Sequence, residues 1–296
     1  MINEKRKNRI KNVAAGYLFI SPVIIGMLIF SAYPLLESFY TTFTEYHNVG
    51  SHVWVGLNNY KEVLSMPLFK KALGNTFYYA GLSIPVNLFC SYFIAYLLNS
   101  KIKGVKVFRM FIYSPCIIPT VANVIVFTDL FNPTFGWFNQ VLRGLGLEAY
   151  PFMTSPSTSI PSLVIYSMWQ MGAQMLIWLS AFNSVPPELY EAAEIDGANR
   201  AVKMLKITVP LITPIIFYNL VIGIIGGLQL FAEVFLMTNG GPLESTTTVV
   251  MLIYRYGLGD LDMGLASAMA WVLAAIIVCM TAVAFLSRKW WVYNEN

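Results

Sequence analysis

Charge is missing from six long stretches of this chain: residues 12–36, 72–100, 110–128, 149–187, 207–232 and 263–287 contain no Lys, Arg, Asp or Glu. Each reaches the about 17–25 residues that a helix needs to cross a bilayer, and the fourth has room for a polar lead-in. A chain that repeats this pattern six times is constrained to an all-α, polytopic membrane protein with six spans. Composition agrees, since 57% of the 296 residues are hydrophobic and 11% are charged, against about 25% charged in soluble domains.

The cations give the orientation. Of 19 Lys and Arg, 14 fall in the segments on the same side as the N-terminus: Lys5, Arg6, Lys7, Arg9 and Lys11; Lys101, Lys103, Lys106 and Arg109; Arg200, Lys203 and Lys206; Arg288 and Lys289. The positive-inside bias therefore predicts that both termini and the loop between the fourth and fifth spans are cytoplasmic. The organisation expected is a basic tail over 1–12, a membrane domain over 13–287 with a cytoplasmic loop over 184–210, and a second tail over 288–296. The first apolar run is 25 residues, longer than the about 7–15 of a secretory signal core, and reads as a retained anchor. Cys90, Cys116 and Cys279 all lie inside spans, where they act as small apolar residues and imply no disulfide framework.

The loop between spans four and five has its own grammar. Pro186 and Pro187 exclude a continuing helix, and Pro187 suits the first position of a new one. Glu188 and Glu191 follow in the turns that the helix dipole favours for acids. Gly197 fits the left-handed residue that closes such a helix. Beyond it Arg200, Lys203 and Lys206 repeat every third residue, so the pattern predicts a helix, a glycine corner and a second short helix with a basic side.

Glu191-Ala192-Ala193, Asp196-Gly197-Ala198 and Ile207-Thr208-Val209-Pro210 resemble, in spacing and identity, the loop that marks permease subunits of binding-protein-dependent ABC importers. The resemblance implies that this loop is a cytoplasmic coupling helix seated in a groove of an ATP-hydrolysing subunit, with Glu191, Ala192, Asp196 and Gly197 as its contacts. Met204 departs from the Phe usual in the sugar-type branch, which puts the fit of the second helix in question. Weaker matches fall in order along the chain from about residue 17 to 285: Gly56-Leu57-Asn58-Asn59-Tyr60, Asn75-Thr76, Asn132-Pro133 and Thr238-Asn239-Gly240-Gly241-Pro242. They are similar to the carbohydrate branch of the family. That similarity implies a second permease subunit, two ATP-binding subunits that hold ATP and Mg, and an extracytoplasmic solute-binding protein. It places the chain in a bacterial-type inner membrane, with no cofactor of its own.

Candidate pathway residues come from the spans. Tyr166, Gln170 and Gln174 share a helical face with Trp169 beside them, and Gln229 follows the glycines of the fifth span. Neutral amides and rings suit sugar hydroxyls and apolar sugar faces, so Tyr166, Trp169, Gln170 and Gln229 are candidates, with helix packing as the competing reading. Gly223-x-x-x-Gly227 suits close helix approach, and Asn87 an interhelical hydrogen bond.

Absences narrow the alternatives. There is no phosphate-binding Gly-x-x-x-x-Gly-Lys-Ser/Thr loop, so energy is expected from a partner. All 15 acidic residues fall outside the charge-free runs or at their rims, which counts against an ion-coupled carrier or channel. His47 and His52 have no third metal ligand nearby. Only Asp260 and Asp262 form a close outer acidic pair for an enzyme of lipid-linked sugar transfer. Nothing suggests nucleic acid as a partner. The expectation is a transport subunit for a sugar or oligosaccharide, not an enzyme, with a glycerol-phosphate-ester importer as the alternative within the family.

Overall fold

The computed structural model describes residues 2–47, 52–99 and 103–293, and the side chains of 13 and 15 onward within them. Lys101 and the side chains of Lys5, Arg6, Lys7, Arg9 and Lys11 therefore lie outside the described residues. The chain divides into two compact units, one of residues 1–63 with 255–271 and one of 64–254 with 272–296.

In the first unit α1 (Ile2–Met27) passes through a π-helical stretch (Leu28–Ala32) into α2 (Tyr33–Thr41). The basic tail thus continues the helix of the first span. The stretch 15–41 is long and apolar, and the side chains of its most apolar window are all accessible. A two-stranded antiparallel sheet follows, β1 (Thr44–Glu45) with β2 (Val53–Trp54), pairing Thr44 with Trp54. Next comes α3 (Asn58–Ser65). Rings hold this cap together: Tyr46 stacks on His52 with centroids 4.0 Å apart, and Phe43 stacks on Trp54 at 5.5 Å. Asn59 donates to the carbonyls of Thr42 and Thr44, each at 2.9 Å. This is the structural reason for an asparagine in the Gly-Leu-Asn-Asn-Tyr segment.

The second unit is built on α4 (Pro67–Leu98), which starts with proline at a position that needs no donor. It packs against α8 (Ser159–Trp169), α9 (Gly172–Asn183) and α13 (Thr213–Leu228). Between α4 and α8 run α5 (Val105–Tyr113), α6 (Thr120–Leu130) and α7 (Trp137–Gly144). After α9 come α10 (Pro187–Ile195), α11 (Arg200–Lys203) and α12 (Val209–Leu211), then α13, α14 (Ala232–Met237) and α15 (Val249–Tyr254). The last helix, α16 (Met263–Trp291), begins in the first unit and finishes in the second.

Three helices among the described residues, 15–41, Pro67–Leu98 and Met263–Trp291, are continuous and apolar enough to cross a membrane. Two further pairs are broken. Val105–Cys116 meets Thr120–Leu130 at 97°, and Arg200–Leu211 meets Thr213–Leu228 at 65°, which raises the count to five if each pair is one span. The expected fourth span, 160–182, is α8 and α9, separated at Gln170 and Met171. The breaks have local causes. Pro115 and Pro119 cannot donate to the preceding turn, and Asn123 donates instead to the carbonyls of Pro115 at 3.0 Å and Ile118 at 3.2 Å, as membrane proline breaks require. At the start of α9, a Cβ on Gly172 would stand 2.4 Å from the Ile112 carbonyl oxygen, so only glycine permits that approach to α5.

Buried contacts tie these helices together. Trp178, fully buried with Met175, Phe182 and Ile212 against Ala95, donates its indole N–H to Ser91 at 2.9 Å. Gly223 and Gly227 face Ile84 and Ala80 of α4, where added Cβ atoms would reach ordinary contact at 3.4 Å. The pair faces α4, but the spacing would also admit alanine.

Candidate functional site

Two places in the second unit carry the sequence candidates. The first is the elbow from Pro187 to Thr208. Pro187 opens α10 after Pro186 in an extended conformation. Gly197, at φ +75°, ends it. The Gly197 N–H bonds to the Glu194 carbonyl at 3.0 Å and the Ala198 N–H to the Ala193 carbonyl at 2.9 Å, the paired bonds of a left-handed helix stop. Asn199 then caps the next turn, its side chain accepting from the Val202 N–H at 2.9 Å. Glu191, Ala192, Asp196 and Gly197 are all exposed. Lys203 pairs with Glu194 and holds that carboxyl below its ordinary range, chiefly through the hydrogen bond they share.

Tyr190, which sequence reasoning missed, anchors the elbow together with Thr208. The Tyr190 hydroxyl meets the Thr208 hydroxyl at 2.7 Å, and Tyr190 also packs against the Trp178 cluster. A ring facing inward on an otherwise small, acidic helix was the available signal. Met204, where the family usually has Phe, receives the Tyr92 O–H on its sulfur at 2.9 Å and opens a π-helical stretch to Thr208. Its contact is therefore with α4. Elsewhere on the elbow Ile195 is 89% exposed, with Leu189, Val202 and Leu205 exposed as well.

The second place is a cavity of about 550 Å³ between α4, α9 and the end of α13, within the about 300–1,000 Å³ usual for small-ligand sites. Tyr79, Asn87, Gln174, Gln229 and Glu233 give it polar walls, and Gly223, Gly226 and Gly227 leave the space open. Asn87 donates to the Ser167 hydroxyl at 2.8 Å, the interhelical bond expected of it. Its carbonyl oxygen is buried without a partner.

The four pathway candidates do not gather here. Gln229 lines the cavity, but Tyr166 is buried at 1% exposure and packs edge-on to Phe127, with ring centroids 5.1 Å apart. Gln170 donates to the Tyr166 hydroxyl at 3.3 Å. Trp169 borders a separate apolar cavity of about 370 Å³ with Phe111 and Met168. The helix is interrupted at Gln170 and Met171, so the face that an unbroken helix would give Tyr166 and Gln174 is not continuous. Glu233, at the rim of the fifth charge-free run, also lines the cavity, where the chain breaks after Leu228 and re-forms a helix at Ala232.

Residues 66–292 match the family model described as the binding-protein-dependent transport system inner membrane component. The chain is 35% identical over 99% of its length to the probable ABC transporter permease protein YesP of Bacillus subtilis, covering 96% of that protein. It is 34% identical over 92% of its length to the arabinooligosaccharides transport system permease protein AraP of the same organism, covering 87% of it. Among solved structures, a chain of a bacterial ABC transporter involved in the import of the acidic polysaccharide alginate superposes with a TM-score of 0.86 at 27% identity, covering 97% of this chain and 99% of that one.

Proposed function

Because this chain belongs to the family of inner membrane components of binding-protein-dependent transport systems, and is a permease of the sugar ABC importer type, we propose that it forms half of a sugar or oligosaccharide pathway driven through the elbow 187–208. In this reading the chain crosses the membrane six times with both termini cytoplasmic. The α8–α9 pair supplies the fourth crossing and the two bent pairs supply the third and fifth. A second permease completes the pathway, an extracytoplasmic solute-binding protein delivers the sugar, and two ATPase subunits burn ATP with Mg on the cytoplasmic face.

One observation carries the coupling step. Glu191, Ala192, Asp196 and Gly197 are exposed together on a helix stopped by a left-handed glycine, beside an unpartnered apolar Ile195. That surface suits a groove on another protein, with Ile195 as apolar anchor and the carboxylates facing basic groups. When the ATPase pair closes, the elbow moves, and α9 and α13 move with it because Tyr190 and Thr208 lock it to the Trp178 core. The motion is a rigid-body switch that exposes the cavity to alternate sides. This chain contributes no bond-making chemistry.

The test is a single cysteine at Asp196. It reacts with an impermeant thiol reagent only from the cytoplasmic side and crosslinks to the co-expressed ATPase subunit. Labelling from outside, or a purified complex that never retains an ATPase, refutes the proposal.

The cavity also bears on the substrate. Its lining has no Lys, Arg or His, the groups that recognise phosphate, so a glycerol-phosphate ester is the weaker reading. Glu233 is the sort of residue an ion-coupled carrier uses. Uptake that persists without the ATPase and follows a proton gradient would favour that mechanism.

A further inference from the structure

The cavity holds one ionisable carboxylate and nothing to neutralise it. Its polar wall is made of the amides of Asn87, Gln174 and Gln229, the Tyr79 hydroxyl and Glu233. Among the described residues none of the ion pairs His47–Glu45, His52–Glu37 and Lys203–Glu194 involves Glu233, and no Lys, Arg or His of this chain lines the cavity. Glu233 is half-buried, and its backbone is fixed by the helix that re-forms at Ala232.

We propose that Glu233 is a specificity residue, whose carboxylate admits neutral hydroxylated sugars to the cavity and turns away sugars that carry a carboxylate or phosphate of their own. The inference rests on the sugar-pathway reading above and adds a charge class to it. A carboxylate accepts strong hydrogen bonds from hydroxyl groups, and the three amides supply neutral donors and acceptors beside it. An anionic sugar entering the same space meets a like charge in a partly dry wall, with no cation to offset it, and like charges brought together at a shielded surface discriminate strongly between partners. The alginate transporter chain, with the same fold at 27% identity, handles an acidic polysaccharide, so the fold leaves the charge preference open. The cavity lining is where a difference would be written.

The experiment uses the assembled transporter, this chain with its second permease and ATPase subunits in nanodiscs. The solute-binding protein is left out, so its own selectivity does not intervene. Equilibrium dialysis at pH 8 measures binding of a uronate pentasaccharide and of an uncharged pentasaccharide of equal length to wild type, Glu233→Gln and Glu233→Lys. Uronate affinity should rise from wild type through Glu233→Gln to Glu233→Lys, by about tenfold or more over the series. The uncharged probe should hold or weaken. Glu233→Gln is nearly isosteric and carries the test alone if Glu233→Lys fails to assemble.

Uronate binding that is equal across the variants, including none in any of them, overturns the proposal, as does an equal rise for both probes. Failure of the underlying reading looks different: deletion of the chain would then leave uptake of uncharged oligosaccharides by intact cells unchanged.

Discussion

Two loops of the second unit, 238–248 and 187–208, are built in opposite ways. The first is closed upon itself. Ser245, Thr246, Thr247 and Thr248 are buried, and the Thr238 and Thr246 hydroxyls share a bond of 2.7 Å. Thr248 donates to the Leu230 carbonyl at 2.8 Å. Asn75 of α4 donates to the Glu244 and Thr247 carbonyls, both at 2.9 Å, and Lys71 to the Leu243 carbonyl at 2.6 Å. In the second loop no residue of α10 or α11 is buried, and its ties inward are few: Tyr190 to Thr208, and Met204 to Tyr92. A loop that satisfies most of its own polar groups, with the buried Ser245 hydroxyl the exception, can stay rigid without a partner. One that leaves an acidic and apolar face exposed is, on the coupling reading proposed above, shaped for a surface supplied by another chain.

The most damaging way to test that contrast is at Gly197. Nothing lies within 4 Å of a Cβ there, but φ is +75°, so Gly197→Val strains the backbone without a clash. Left-handed geometry costs an ordinary residue about 1–2 kcal/mol, and a β-branched one more. Since the elbow has little packing to resist, the turn should re-form. ATP-driven uptake is expected to fall by about tenfold or more while the chain still inserts and assembles with its second permease. Normal uptake by this variant would break the comparison.

Ile195→Asp acts on the surface alone. The side chain is 89% exposed, so the melting temperature of the isolated permease should not move. Retention of the ATPase subunit on purification should drop by about tenfold, the scale of losing an anchor at an interface centre. Unchanged retention would mean that the partner grips the elbow elsewhere.

The same reasoning inverts for the self-contained loop. Asn75→Ala strands the Glu244 and Thr247 carbonyls and should destabilise the permease by about 1–3 kcal/mol. Thermal unfolding would read this, with ATPase retention intact. A variant that instead lost its ATPase would show the two loops to be coupled.

These loops also show what was legible beforehand. The elbow's helix, its proline start and its glycine stop were readable, because each depends on backbone rules local to a few residues. Asn87 was readable as an interhelical amide for a different reason, that a polar side chain at depth needs a partner, whereas the role of Asn123 at the proline break shows only in the structure. The interruption at Gln170 and Met171 was not. Periodicity assumes an unbroken helix, and the close approach of Gly172 to Ile112 that accompanies the break is a tertiary fact. Tyr166 and Gln174 therefore looked like neighbours on one face when only Gln174 reaches the cavity. That Glu233 lines the cavity was likewise not legible, since the break after Leu228 and the new helix at Ala232 set its place.

The smallest effect is expected where the elbow makes its one ion pair. Glu194 is exposed, and Lys203 lowers its pKa through a hydrogen bond first and charge second. A carboxyl with a depressed folded pKa contributes stability above its unfolded value, and loses that contribution only as pH falls through the lowered one. The pair is thus fully formed throughout the neutral range and titrates only in acid. Exposed pairs are screened by solvent and salt, so the elbow's shape has to come from Gly197, Asn199 and the Tyr190–Thr208 contact. Glu194→Gln should leave ATPase retention within about twofold of wild type between about pH 6 and pH 8. A larger loss, or one that grew as pH rose, would mean that Glu194 touches the partner directly, and the contact face would then extend past Glu191 and Asp196 to the Lys203 side of the elbow.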